Sequence, residues 1–263
     1  MDLKSLLEPV VAMAVEAGDA ILEVYATDFD VQNKADESPL TQADLASHNR
    51  IVAGLGALTP EIPIISEESG LPDFATRSAW AQYWLIDPLD GTKEFVNRNG
   101  EFTVNIALIE DHRPILGVVH VPVQKKTYVG CKGAGSTVRS PGSDPRAIRV
   151  AESSTDPVRV VGSRSHRGAS LDAYLEQLGD YDMVPMGSSL KFCIVAEGGA
   201  DIYPRLGPTS EWDTAAAQAV VEQAGGVVLQ LDGTPLSYNA KDDILNPYFM
   251  VVGPGDRDWL ALI

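Results

Sequence analysis

The sequence contains few cysteines and few basic residues. The two cysteines, Cys131 and Cys193, fit neither a disulfide framework nor the spacing of a zinc site, so we expect two reduced thiols in the core. Lysine and arginine number 20 against 37 acidic residues, and the net charge of −17 argues against a nucleic-acid polymer or an anionic membrane surface as the main partner. A small phosphorylated metabolite is compatible with this charge if cations lie between protein and ligand.

Long hydrophobic runs are missing too. No apolar run reaches the roughly 18 residues that a membrane-spanning helix needs, so no integral membrane segment is expected. Glu8, Pro9, Glu16 and Asp19 interrupt the apolar residues near the N-terminus, so we expect no signal peptide and a cytoplasmic protein. Hydrophobic residues at 44% and charged residues at 22% are typical of a globular chain, and 263 residues suit one large domain or two small ones.

The apolar pattern of the first half predicts helices followed by strands. Helical spacing covers residues 3–25, and a second helix is expected from Thr41, as its N-cap, to about Leu58. A polar surface loop is expected between them, with a turn at residues 36–39. Short apolar runs predict strands, several at hairpin-like spacing, at 62–65, 83–86, 103–109, 114–121 and 127–129.

The second half alternates strands with helices, so the chain as a whole is predicted to be a layered α/β or α+β protein. Residues 133–145 are rich in Gly, Ser and Pro and are expected to connect an N-terminal subdomain, residues 1–145, with a C-terminal subdomain, residues 146–263. The expected elements of the second half are strands at 158–162, 183–184, 201–203, 227–231 and 249–252 and helices at about 170–178, 189–197 and 212–224.

Four acidic residues lie where an apolar element ends: Glu67, Asp87, Asp90 and Asp213. Singly, each has an ordinary explanation, since aspartate is common in turns and favourable in the first turn of a helix. Carboxylates packed together repel each other and would repel a phosphate. Divalent cations remove both conflicts, and oxygen ligands of this kind suit Mg²⁺.

The segment 87–92, Asp-Pro-Leu-Asp-Gly-Thr, combines carboxylates with an expected anion site. Its proline keeps the aspartate pair on a turn, and Gly91 lets a ligand approach the backbone. Thr92 is expected to begin a short helix to about Val96, with free N–H groups at its start. Two residues separate the aspartates, so the Asp-x-Asp pattern of an aspartyl nucleophile is absent, and the alternating ligands of an EF-hand are absent as well.

Several strings of this sequence match those of a known protein family. They are residues 87–95, 99–109 and 187–193 and the Ala-Gly-Asp at 17–19. Nearly the whole chain resembles the inositol monophosphatase-like superfamily of Mg²⁺-dependent, lithium-sensitive phosphomonoesterases. Within that superfamily, the Lys-Glu-Phe of residues 93–95 and the string at 187–193 resemble the bacterial 3′(2′),5′-bisphosphate nucleotidases. The resemblance implies an α-β-α-β-α sandwich of the inositol monophosphatase and fructose-1,6-bisphosphatase type.

The resemblance also implies residue roles in the first half and at the seam. Carried over position by position, the carboxylates of Glu67, Asp87, Asp90 and Asp213 would bind metal, as would the backbone carbonyl of Leu89. Thr92 and Asp44 would orient and deprotonate a metal-bound water. Substrate contacts in this part of the site would come from Glu67, Gly91, Thr92 and Asp213.

Substrate choice is expected to depend on the second half. Residues 163–166 follow a strand and can place His166 at a pocket mouth, Lys191 is a cation in an otherwise apolar helix, and Arg205 follows another strand. Ser188 and Lys191 match the nucleotidase pattern. Each cation could instead be a solvated surface residue and His166 a structural one. We hypothesise that these residues hold a nucleoside and its second phosphate.

The implied activity is hydrolysis of the 3′-phosphate of adenosine 3′,5′-bisphosphate to AMP, with the sulfated analogue as an alternative substrate and sulfur metabolism as the setting. A monomer or homodimer is expected. Peripheral inner-membrane association is suggested by resemblance only, without a basic amphipathic helix to support it. The alternatives are an inositol or sugar phosphatase with the same metal site, a metal-dependent anion-binding protein without turnover, and a purely structural protein.

Overall fold

The computed structural model describes residues 2–27, 39–163, 168–255 and 257–263 and contains two β-sheets. The first sheet has seven strands in chain order, β1 Ile64–Ser66, β2 Gln82–Asp90, β3 Thr103–Glu110, β4 Arg113–Val121, β5 Lys126–Cys131, β6 Gly135–Arg139 and β7 Arg146–Ala147. β1 is parallel to β2, and every later neighbour pair is antiparallel. The second sheet has the order β11-β12-β10-β8-β9, with β8 Val158–Gly162, β9 Tyr181–Pro185, β10 Ile202–Arg205, β11 Val227–Gln230 and β12 Phe249–Val252.

The helices form three layers around these sheets. They are α1 Leu3–Tyr25, α2 Pro39–Leu58, α3 Phe74–Arg77, α4 Thr92–Val96, α5 Ala169–Leu178, α6 Leu190–Ala196 and α7 Ala215–Gln223, with a 3₁₀ turn at Leu260–Leu262. α1 and α2 cover one face of the first sheet, α6 and α7 fill the space between the sheets, and α5 covers the outer face of the second sheet. The expected α-β-α-β-α order is confirmed. None of the helices described is long and apolar enough to cross a bilayer.

The expected start of the second helix is wrong. α2 begins at Pro39, so Thr41 lies inside the helix and is not its N-cap. Proline suits a first helical position because its ring fixes φ and its missing N–H would have no partner there. Residues 36–38 of the expected turn lie outside the part of the chain that is described.

The Gly/Ser/Pro-rich segment 133–145 is not a connection, because β6 lies within it. β6 pairs with β5 and with β7, so the first sheet continues to Ala147. Gly133 and Gly135 lie at the tight turn between β5 and β6, and Gly142 lies between β6 and β7; all three have the positive φ angles that favour glycine. Composition alone could not distinguish such a turn from a linker.

β2 is longer than its apolar run predicts and includes the aspartate pair. Its ladder with β3 continues past Ile86, with a register shift between Asp87 and Asp90. A shift of this kind accommodates Pro88, which has no N–H to donate to a ladder. The two aspartates therefore lie on an irregular strand end and not in a free loop.

α7 contacts the first sheet where two strands carry glycine. A Cβ atom on Gly117 of β4 would lie 2.1 Å from the Ala216 carbonyl oxygen, and one on Gly130 of β5 would lie 2.4 Å from the Ala219 carbonyl oxygen. Both distances are too short for a real contact, so only glycine allows this approach. The start of α7, just after Asp213, is thereby fixed against the sheet that carries Asp87. Both cysteines are buried and free, as expected.

Candidate metal and substrate site

Three carboxylates from distant parts of the chain converge at the seam between the two halves. Oxygen atoms of Glu67, Asp87 and Asp213 all lie within 4.8 Å of one another. Glu67 directly follows β1, and the parallel pairing of Ser66 with Ile86 brings it beside Asp87. Asp213 lies in the turn that precedes α7. The structure therefore brings together three of the four expected carboxylate ligands.

Burial and mutual repulsion disfavour the ionised form of these groups. Asp87 is 1% exposed, and burial, followed by the nearby charges of Asp90, Glu67 and Asp213, raises its pKa well above the usual range. Burial and the charge of Asp90 raise the pKa of Asp213 to about 7. A divalent cation would reverse both shifts, and an all-carboxylate donor set suits a hard cation such as Mg²⁺. The residues present therefore fit a metal ion.

Asp90 is held beside this trio by residue Ser189. Asp90 Oδ2 accepts hydrogen bonds from the Ser189 backbone N–H at 2.6 Å and from the Ser189 hydroxyl at 2.7 Å. Leu89, whose carbonyl is the remaining expected ligand, has its side chain in the core and donates its N–H to Asp87 Oδ1 at 3.0 Å. Metal coordination by Glu67, Asp87 and Asp213, as by Asp90 and the Leu89 carbonyl, remains a prediction.

Two hydrogen bonds that the sequence did not reveal join α2 to the neighbours of Asp87 and Glu67 in the chain. The Ser47 hydroxyl donates to the Pro88 carbonyl at 2.7 Å, and His48 Nδ1 and the Ser66 hydroxyl lie 2.8 Å apart. Asp44, on the same helix, is 9% exposed. Burial and the charges of Glu68 and Glu67 raise its pKa to about 8.

Thr92 is the first residue of α4, as expected, and its side chain is exposed. Gly91 before it has a φ of 101°, which favours glycine, and a Cβ there would lie 3.2 Å from Phe102 Cα and 3.3 Å from Ser188 Cβ. α4 also contacts α2, the helix that carries Asp44. The close fit of Gly91 brings the start of α4 against the Ser188 turn of the second half.

A cleft of about 150 Å³ opens beside the cluster and is lined from both halves, with Asp90, Gly91 and Glu94 on one side and Lys191, Arg205 and Asp213 on the other. A second cavity, of about 490 Å³, shares Ser163, Tyr203 and Arg205 with the cleft. The two cavities therefore adjoin at these shared residues.

Lys191 is a buried cation, not a solvated one. It is 7% exposed, its Nζ donates to the Ser188 carbonyl at 2.6 Å, and it lies 5.7 Å from the centroid of the Tyr203 ring. Burial lowers its pKa to about 8, against the opposing effect of Asp90. Arg205 donates from Nη2 to the Pro208 carbonyl at 2.5 Å, and its buried Nε has no hydrogen-bond partner among the residues that the structure describes.

Ser188, which also lines the cleft, has a φ of 45°, a left-handed conformation that is uncommon for serine. His166 lies outside the described residues.

Ser189, Ser47 and Ser66 were missed because their partners lie far away in sequence. The one available signal for Ser189 was its position in a Gly-Ser-Ser string directly before a helix.

The model of the inositol monophosphatase family matches residues 2–251, and the chain belongs to this family. The 3′(2′),5′-bisphosphate nucleotidase CysQ of Escherichia coli strain K12 is 49% identical over 94% of this chain and 99% of its own length. A crystal structure of CysQ from Bacteroides thetaiotaomicron has a TM-score of 0.87 and 40% identity, over 98% of this chain and 99% of that one. An inositol monophosphatase from Zymomonas mobilis shares the fold, with a TM-score of 0.78 and 22% identity over 96% and 94% of the two chains.

Proposed function

We propose that the protein is a Mg²⁺-dependent phosphomonoesterase that removes the 3′-phosphate of adenosine 3′,5′-bisphosphate and yields AMP. One observation carries the proposal: a carboxylate cluster built from both halves opens onto a cleft that also holds a buried lysine. The carboxylates would bind cations, which in turn would bind the reacting phosphate. The lysine would pair with a second anionic group of the substrate. The name of the Escherichia coli relative supports this choice of substrate.

Glu67, Asp87, Asp90 and Asp213, with the Leu89 carbonyl, are the proposed metal ligands. Bound divalent cations would supply Lewis acidity, which lowers the pKa of water and offsets charge on the phosphoryl oxygens. The backbone N–H groups of Gly91 and Thr92 are proposed to hold one of those oxygens. Carboxylates from both halves make the site dependent on the packing of α7 against the first sheet.

Thr92 and Asp44 are proposed to activate the attacking water. The Thr92 hydroxyl accepts a proton from water and passes its own proton to the Asp44 carboxylate. The water oxygen then bonds to phosphorus as the bond from phosphorus to the ribose 3′-oxygen breaks, and that oxygen leaves with a proton from solvent. The pKa of about 8 belongs to the metal-free site, and cations bound beside Glu67 would lower it, so that the Asp44 carboxylate would be ionised and able to accept the proton near neutral pH.

The second half is proposed to select the nucleotide. Lys191 and Arg205 would bind the 5′-phosphate, because both line the cleft beside the carboxylate cluster. Ser188 would contact the ribose, and the adjoining cavity of about 490 Å³ offers room for the base. A contact from His166, a cytoplasmic location and a monomer or homodimer state remain predictions. The division into two subdomains also remains one, but its boundary lies after β7 and not at residue 145, because the first sheet extends to Ala147.

The second candidate is an inositol or sugar phosphatase with the same metal site. The test is to measure kcat/KM for phosphate release from adenosine 3′,5′-bisphosphate and from inositol 1-phosphate at saturating Mg²⁺. We expect a ratio of at least tenfold in favour of the nucleotide. A preference for inositol 1-phosphate would agree with the proposed metal site but contradict the proposed substrate. Release from neither compound would contradict the proposed phosphatase function.

A further inference from the structure

Ser189 lies at the seam of the two halves and contacts both of them. It is 1% exposed and directly precedes α6. Its hydroxyl reaches Asp90 Oδ2 of the first half at 2.7 Å and the Asp213 backbone carbonyl of the second half at 2.5 Å. It therefore touches two carboxylate residues of the site without being a candidate ligand itself.

The Ser189 hydroxyl has one hydrogen and two acceptors. Asn105 Nδ2 donates to the same oxygen at 2.9 Å, so the hydroxyl hydrogen must go to Asp90 or to the Asp213 carbonyl, or be shared between them. Asp90 Oδ2 is held independently by the Ser189 backbone N–H at 2.6 Å. The hydroxyl can therefore turn to the Asp213 carbonyl without releasing Asp90.

We propose that Ser189 is a positioning residue that fixes the Asp90 and Asp213 carboxylates relative to each other across the seam. The backbone N–H holds Asp90, the hydroxyl holds the Asp213 turn, and Asn105 orients the hydroxyl. This inference rests on the proposed metal site, because its consequence is the spacing of two proposed ligands. Residues that orient metal ligands commonly contribute ten- to hundredfold to metal affinity.

The test is Ser189→Ala, with Ser136→Ala as the matched control. Ser136 is also a buried serine, 4% exposed, whose hydroxyl donates to a backbone carbonyl, that of Val129 on the neighbouring strand of the first sheet. The readout is the MgCl₂ concentration that gives half of the maximal rise in the thermal unfolding midpoint. We expect this concentration to increase about tenfold or more for Ser189→Ala and to stay within twofold of wild type for Ser136→Ala.

A merely structural role predicts another pattern, in which Ser189→Ala lowers the midpoint in EDTA and leaves the Mg²⁺ dependence unchanged; that result would overturn the inference. If Ser189→Ala does not fold, Asn105→Ala takes its place, and an unchanged Mg²⁺ dependence there would also overturn it. If wild type itself shows no Mg²⁺-dependent rise, the proposed metal site fails and this inference fails with it. A weakened Mg²⁺ dependence with an unchanged substrate ratio supports the inference whichever phosphate ester is preferred.

Discussion

Asp87 and Lys191 are buried side chains with opposite charges, and burial disfavours the charged form of each. The pKa of Asp87 is raised and that of Lys191 is lowered to about 8. Cations bound with a phosphate ester would neutralise the Asp87 carboxylate. An anionic group of the same ester would pair with the Lys191 ammonium. The site therefore has groups of both signs whose ionised forms a ligand would stabilise.

Replacing Lys191 with Met removes the ammonium group and keeps an apolar stem beside Tyr203. A hydrogen bond to a charged group contributes about 1.5–3 kcal/mol, so KM for adenosine 3′,5′-bisphosphate should rise about ten- to hundredfold. Steady-state phosphate release measures this, with inositol 1-phosphate as the comparison substrate and an expected change below twofold. Lys132→Met, at a lysine whose side chain is 65% exposed, is the control. An unchanged KM for the nucleotide would remove Lys191 from the substrate site.

At the scale of elements, the approach of α7 to the first sheet sets the position of Asp213. β4 and β5 carry Gly117 and Gly130 where the helix backbone passes, and the helix carries small residues on that side. The contact brings the turn before α7 over the end of β2, where Asp87 lies. Gly117, Gly130 and the alanines of α7 thus set the position of Asp213, although none of them is a proposed metal ligand.

Gly117→Ala should disrupt this contact, because its Cβ would overlap the Ala216 carbonyl, which is a backbone atom of α7. Overpacking of a core costs about 1–3 kcal/mol, and the loss in the free energy of unfolding should be at the upper end of that range. Urea unfolding measures it. Gly56→Ala, within α2 and with open space around the new methyl group, should be neutral or stabilising. Equal stability of the two variants would contradict the proposed role of the contact.

Much of the fold was predictable because periodicity reports local structure directly. α1 was predicted over its full length, and the start of α4 at Thr92 was predicted from segment 87–92. The continuation of β2 past Pro88 and the existence of β6 were not predictable, because each depends on pairing with another strand. The role of Ser189 was hidden for the same reason, since Asp90 lies 99 residues away from it in sequence.

For the whole molecule, the carboxylate cluster makes the metal-free fold sensitive to pH. Asp44 and Asp213 have pKa values of about 8 and about 7 in the folded chain, against about 3.8 for an unperturbed aspartate, and the pKa of Asp87 is raised as well. At pH values between the unfolded pKa of about 3.8 and the folded values of about 7 and 8, the folded state binds more protons than the unfolded state. The free energy of unfolding contributed by these groups therefore falls as pH rises from about 4 to about 8.

Mg²⁺ should remove this penalty, because it binds the ionised carboxylates. The rise in the thermal unfolding midpoint between EDTA and saturating MgCl₂ is expected to be several degrees larger at pH 8.5 than at pH 6. Differential scanning calorimetry at both pH values measures it. Asp213→Asn, which cannot ionise, should show a smaller difference between the two pH values. A Mg²⁺ effect that is larger at pH 6 would contradict the cluster as the binding site.

The protein is proposed to hydrolyse its phosphate ester at a metal site to which both halves of the chain contribute carboxylates. The most direct measurement is phosphate release from adenosine 3′,5′-bisphosphate by one sample, first in Mg²⁺, then after EDTA, then after excess Mg²⁺ is restored, with Asp213→Asn alongside. We predict that EDTA stops release, that Mg²⁺ restores it, and that Asp213→Asn is slower by at least a hundredfold at every Mg²⁺ concentration. Release that continues in EDTA, or an Asp213→Asn variant as active as wild type, would contradict the account.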